Sequence, residues 1–172
     1  LLAEDSLQFK SSYFDTDAKD YIFMYVTRTQ TASANISRAK IWGWDTSLNY
    51  QTKWFNWDLA YNRTRGKDKS RNGELNAKSG DWLADISPDT VTSSLDVPLG
   101  ETGLSAGWVA TFAERATRVQ TGTPEQGGYG VNDFYLSYKG RDRLQGVTTT
   151  VVLGNAFDKE YYSPQGVPQD GR

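Results

Sequence analysis

Histidine and cysteine are both absent from this 172-residue chain, and methionine occurs once. Without imidazole or thiol, the commonest general base, the thiolate nucleophile and the usual zinc ligands are missing together, which removes most hydrolase and metalloenzyme readings. The lack of cysteine also excludes a disulfide framework while leaving the compartment open. No stretch approaches the roughly 18 apolar residues of a spanning helix. There is no basic excess either: 19 Lys and Arg stand against 21 Asp and Glu, a net charge of −2. The phosphate contacts of a nucleic-acid partner are therefore not provided for. The start, Leu1-Leu2-Ala3-Glu4-Asp5-Ser6, has neither the basic nor the apolar region of a signal peptide, so a mature protein or an internal piece is expected.

Aromatic side chains are plentiful. They make up 13% of the residues, with six Trp and ten Tyr, although hydrophobic residues reach only 37%. Such a chain is too polar for a helical membrane protein and too aromatic for a disordered one. The aromatics fall on alternate positions. Phe55, Trp57, Leu59 and Tyr61 alternate with Asn56, Asp58, Ala60 and Asn62, the period of a two-faced strand. The same rule gives a first segment from about Leu7 to Val26 and a second through Trp42, Trp44, Leu48 and Tyr50. Further strands run through Val91 to Leu99, Leu104 to Phe112, Phe134 to Tyr138 and Val147 to Leu153. The sum is an all-β antiparallel meander of about seven strands with no convincing helix.

Connections alternate in length. Thr52-Lys53, Gly100 to Gly103 and Gly140 to Gln145 are short, whereas Thr27 to Asn35, Gly66 to Pro88, Glu114 to Gly128 and the stretch from Asp158 onward are long. All tight turns then lie at one end of the sheet and all large loops at the other. Two architectures share the stripe pattern. A soluble β-barrel that binds a small ligand turns the stripes inward and carries Lys and Glu outside. A transmembrane barrel turns them outward, lines its lumen with small polar residues and separates short periplasmic turns from long extracellular loops. The polar face here is mostly Asn, Ser, Thr, Gly and Asp. Trp42, Trp44, Trp54, Trp57, Tyr61 and Tyr138 suit an aromatic girdle at the headgroup level. A spanning sheet must close and bacterial barrels have even strand numbers, so seven strands are expected to be a fragment of a large transmembrane β-barrel.

The segment Gly154-Asn155-Ala156-Phe157-Asp158-Lys159-Glu160-Tyr161-Tyr162, followed by Gly171-Arg172, resembles the penultimate-strand signature of TonB-dependent outer-membrane receptors. In it Gly154, Asn155, Phe157, Asp158 and Tyr161 carry the match. Asn35, Ala39, Ile41 and Gly43 with Trp44-Asp45, then Leu83 to Pro88, and Tyr129, Val131 and Asp133 resemble other positions of the family. Ile86-Ser87-Pro88 departs from its more usual Ile-Pro-Pro. The resemblance implies a barrel of about 22 strands around a plug. Residues 1–172 would be part of that barrel domain, without the plug and the final strand. It further implies localisation in the Gram-negative outer membrane, no enzymatic activity and TonB-energised uptake of an iron source. Heme is the leading cargo, with siderophore receptors of the same family as the alternative. Implied partners are outer-membrane lipid, the plug of the same chain, the TonB complex and a heme-carrying protein. Heme or a ferric chelate would be the transported ligand and not a cofactor resident in this segment. The family's heme-ligating positions lie in the plug and an upstream loop, so none carries over.

Arg71, Trp82, Tyr161 and Tyr162 fall in long loops and are candidate ligand contacts. A phenolate can ligate ferric heme and an indole can stack on a porphyrin; the same residues could equally pack loops or line the rim. Arg63, Arg65, Lys67, Lys69 and Arg71 form a basic run suited to an anionic chelate, to a solvated loop or to lipopolysaccharide phosphates. Asp45, Asp58, Asp96 and Asp133 fall on lumen-side positions, where they could meet arginines of a plug. Their spacing singles out no catalytic pair.

Overall fold

The computed structural model describes residues 5–26, 31–69, 82–83, 86, 89–116, 127–162, 168–169 and 171. Seven strands follow chain order in one antiparallel sheet: β1 (Ser6–Val26), β2 (Thr31–Gln51), β3 (Asn56–Asp68), β4 (Thr90–Pro98), β5 (Leu104–Ala113), β6 (Tyr129–Lys139) and β7 (Thr148–Leu153). A two-stranded ribbon, β8 (Tyr161–Tyr162) with β9 (Pro168–Gln169), stands apart from it. The single helical element among the described residues is a 3-10 turn, Asp142–Leu144.

Short connections are built as the sequence requires. Thr52 Oγ1 accepts hydrogen bonds from the amides of Trp54 and Phe55, each at 3.0 Å, and so closes the β2–β3 turn. Between β4 and β5, Gly100 and Gly103 adopt φ of 63° and 82°, the left-handed region that glycine enters freely. Two expected boundaries are corrected. β2 begins at Thr31, so Thr27 to Asn35 is no long connection, and only residues 27–30, outside the described set, separate the first two strands. β3 runs to Asp68, which puts Arg63, Arg65 and Lys67 on a strand and not in a loop. The reason is common to both. Apolar alternation stops at Trp42 and Tyr61, but backbone pairing needs no apolar side chains once a strand leaves the lipid. At about 3.3 Å per residue, the 21 residues of β1 and of β2 are twice what a spanning strand needs.

Register sorts every strand into two faces. Leu48 faces Phe9 and Leu59, Leu95 faces Trp57 and Trp108, and Phe134 faces Trp108 and Leu153, so one apolar surface runs unbroken across the sheet. It is not covered by protein: Phe9 is 66% exposed and Val151 68%. Among the described residues the buried hydrophobics are Ala39, Leu83, Ala110 and Ala113, far too little for a water-soluble core. Three polar pairs on this face are satisfied within it. The indole N–H of Trp57 donates to Ser93 Oγ and that of Trp108 to Asn132 Oδ1, both at 2.9 Å, and the Ser11 and Thr46 hydroxyls pair at 3.0 Å. In hydrocarbon, where water offers no alternative, an unpaired donor costs several kcal/mol, on the order of a whole side chain's burial.

The opposite face is polar and locally bonded. Asn49 donates to Asp58 at 2.7 Å, Asn62 to Asp45 at 2.8 Å and the Tyr135 phenol to Asp96 at 2.7 Å. Tyr135 reaches β4 by lying across Gly107, its own register partner. Phe14 covers Gly43 in the same way, and on the apolar face Phe112 covers Gly130; a Cβ at any of these glycines would come within 3.0 Å of the ring. Glycine is required there because a side chain would occupy the space of the aromatic.

Arginine at Leu59, Trp108 or Leu136 of the intact barrel should destabilise it by about 2–4 kcal/mol each. Glutamine at the lumen-face residue Thr92 should not. Urea titration of the folded, heat-modifiable band in lipid vesicles reads the difference.

Candidate functional site

The segment after β7 is a compact knot. Asn155 takes φ 44° and Asp158 φ 56°, conformations that Asn and Asp tolerate better than other side chains. The Asn155 amide closes the loop reciprocally: its Nδ2 donates to the Lys159 carbonyl and its Oδ1 accepts from the Lys159 amide, both at 2.9 Å. The turn is fastened to β6 by two further bonds, Asn155 N–H to Asp133 Oδ1 at 2.6 Å and Ala156 N–H to the Asn132 carbonyl at 2.7 Å. Phe157 stands edge-on to Phe134 at 6.3 Å, on the apolar face. Gly171 packs against the Asp158 carboxylate so closely that a Cβ would collide with it. Nothing in the structure explains why Gly154 is glycine, since its Cβ position is open to within 3.7 Å.

From this knot Tyr161 is delivered onto Tyr129, with ring centroids 4.2 Å apart and planes at 29°. Tyr129 pairs with Ala113, one position beyond the outermost apolar row of Phe112 and Gly130, and is on the lumen-side parity. Tyr129 thus offers Tyr161 a stacking surface at the outer end of β6. Tyr162 pairs with Pro168 in the ribbon.

Trp82 lies elsewhere. It bridges to Lys67, which puts it on the outward parity. There its ring is 5.9 Å from that of Trp42 and carries the Lys67 ammonium 4.5 Å above it. The adjoining Leu83 donates its amide to the Gly66 carbonyl at 2.9 Å and packs with Ala39, Ala18, Ile41 and Ile86 on the other face. Trp82 and Tyr161 therefore do not converge. Arg71 lies outside the described residues.

Asp89 is a joint with no signature in the residue pattern. Its carboxylate accepts from the Tyr61 hydroxyl at 3.0 Å and from Arg65 Nη1. Arg65 also approaches Glu114 at 3.7 Å, and the Asp89 carbonyl accepts from the Glu114 amide at 2.9 Å. The loops before β4 and after β5 are thus tied to the outer end of β3. Asp45, Asp58, Asp96 and Asp133 all lie on the lumen parity and each accepts from a separate neighbour, so no two of them form a unit.

An apolar outward face, a polar inner face, spanning-length strands and outer loops knotted to the sheet define the wall of an outer-membrane β-barrel. The chain matches the family described as TonB dependent receptor-like, beta-barrel over residues 2–156 and belongs to it. It is thus part of a larger outer-membrane barrel in a family of transport receptors, not enzymes, and the soluble-module reading falls. It is 60% identical to the hemin receptor of Yersinia pestis and 57% identical to that of Yersinia enterocolitica, in both cases over 100% of its own length. It spans about a quarter of those relatives, 24% and 26%. Among solved structures it superposes on the copper transporter OprC with a TM-score of 0.76 at 22% identity, covering 96% of this chain and 26% of the other, which establishes the fold.

Asn155→Ala removes the two amide bonds and puts a Cβ-only side chain into the left-handed region, whereas Asn155→Gly removes the bonds alone. Protease nicking after Leu153 in the intact receptor should rise in both, with Ala worse by about 1 kcal/mol of local opening.

Proposed function

We propose that the receptor containing this wall takes up heme as an iron source across the outer membrane, energised through TonB. The observation that carries this reading is the 57–60% identity, along the whole of this chain, to two proteins named hemin receptors. Within it, residues 1–172 are one part of the barrel domain, and the plug and closing strand lie elsewhere in the receptor. The lumen-face carboxylates Asp45, Asp58, Asp96 and Asp133 give the wall a negative inner surface suited to arginines of a plug. Tyr161 and Tyr162, held at the outer end by the Asn155 knot, are the side chains best placed to meet a ligand entering the lumen. Arg71 belongs to the same set as an anion contact for heme propionates. Trp82 is assigned to the wall on the strength of its outward parity. The chain supplies aromatic and polar contacts to a passing ligand; a heme-carrying protein would deliver it from outside.

Expressed in full in a host lacking its own heme receptor, the protein should permit growth on heme as the sole iron source, and deletion of TonB should abolish that growth. Growth on a ferric siderophore and not on heme would move the assignment to the siderophore branch. Tyr161→Phe preserves the stack on Tyr129 and deletes one oxygen. An approximately tenfold loss of heme affinity in optical titration is expected, and unchanged affinity would reduce Tyr161 to packing.

A further inference from the structure

At the outer end of the sheet, neighbouring strands change character in adjoining rows. On the outward face the apolar run ends at Tyr13 on β1, Trp42 on β2 and Tyr61 on β3, and the next positions are Asp15, Lys40 and Arg63. Above them the register sets Lys40 directly opposite Lys67 and Lys19 opposite Arg38. Like charges placed opposite one another on a sheet repel, so these rows are stable only where anions stand between them. Part of the demand is met within the chain: Lys40 is 3.1 Å from Asp15, Arg38 3.5 Å from Asp17, and Arg65 is held by Asp89 and Glu114. Two cations are left underused. Arg63 is half-exposed and only reaches Asp89 at 3.8 Å, and Lys67 rests over Trp82 with no carboxylate paired to it among the described residues. Rows two residues apart are roughly 6–7 Å apart along the strand. Arg63 and Lys67, together with Lys40, which faces Lys67 and shares its charge with Asp15, thus mark out a strip that begins where the apolar face stops.

We propose that this strip binds the phosphate groups of a lipid headgroup in the outer leaflet. Its outward parity commits the occupant. A ligand in transit passes through the lumen, behind the sheet, and cannot reach these side chains, whereas a lipid whose acyl chains lie on Leu48 and Leu59 carries its headgroup to them. Trp42 lies one row below Lys40, and Trp82 stands level with it beside Lys67, at the depth where indoles favour the interface. Guanidinium and ammonium then meet phosphate by charge-assisted hydrogen bonds. The inference is independent of the cargo.

The test uses the full-length receptor in detergent, with diphosphorylated lipid A as probe and bound lipid counted by native mass spectrometry. Lys40→Gln, Arg63→Gln and Lys67→Gln should each weaken binding about fivefold, and the triple variant correspondingly more. Lys10→Gln, on the lumen face, should leave it unchanged, and unaltered heat-modifiable migration reports that the barrel is intact. The proposal is overturned if the triple variant binds as the parent does, or if dephosphorylated lipid A binds equally well. Displacement of the lipid by inorganic phosphate at equal concentration would make the strip a site for free anions and reject the lipid.

Discussion

A chain that crosses hydrocarbon must satisfy each backbone amide inside its own sheet, because no solvent will do so. That requirement makes register the governing quantity of this wall. A slip of one residue between any two strands would exchange the lipid and lumen faces of everything beyond it. The alternation of Phe55 to Asn62 has meaning only because β2 and β4 are held in step with it. The short connections hold that step: Thr52 caps one turn with its hydroxyl, and Gly100 and Gly103 shape another.

The side chains repeat the backbone's rule. Trp57 and Trp108 both present a donor to lipid, and both reach diagonally to the following strand, where Ser93 and Asn132 accept. These two polar residues look misplaced on an apolar stripe until the indole is considered; each is a partner and not an exception. On the lumen side, Tyr135 crosses β5 to Asp96 and so ties three strands together, which a smaller residue could not do.

Sequence reasoning reached the number of strands, their order and the identity of the two faces, since a period of two over apolar residues is a direct image of the pleat. It failed where that image fades. Beyond the apolar run, Lys40 and Arg38 on β2 and Arg63, Arg65 and Lys67 on β3 hold the outward parity, so the three β3 cations read as loop although the ladder continues beneath them. Asp89 could not have been found, because its partners Tyr61, Arg65 and Glu114 come together only after three strands have paired. The motif around Asn155 was visible as a pattern, but its cause, two left-handed residues and a reciprocal amide clasp, is conformational and leaves no composition signal. Trp82 was equally suited to ligand or rim until pairing with Lys67 set its parity.

The aromatic rings laid over Gly43, Gly107 and Gly130 have an evolutionary consequence. At each place neither member can change freely: enlarging the glycine evicts the ring, and shrinking the ring uncovers backbone. Substitutions there are expected to be inherited as pairs, Phe14 with Gly43, Tyr135 with Gly107 and Phe112 with Gly130, so that descent itself keeps a record of which residues face each other across the wall.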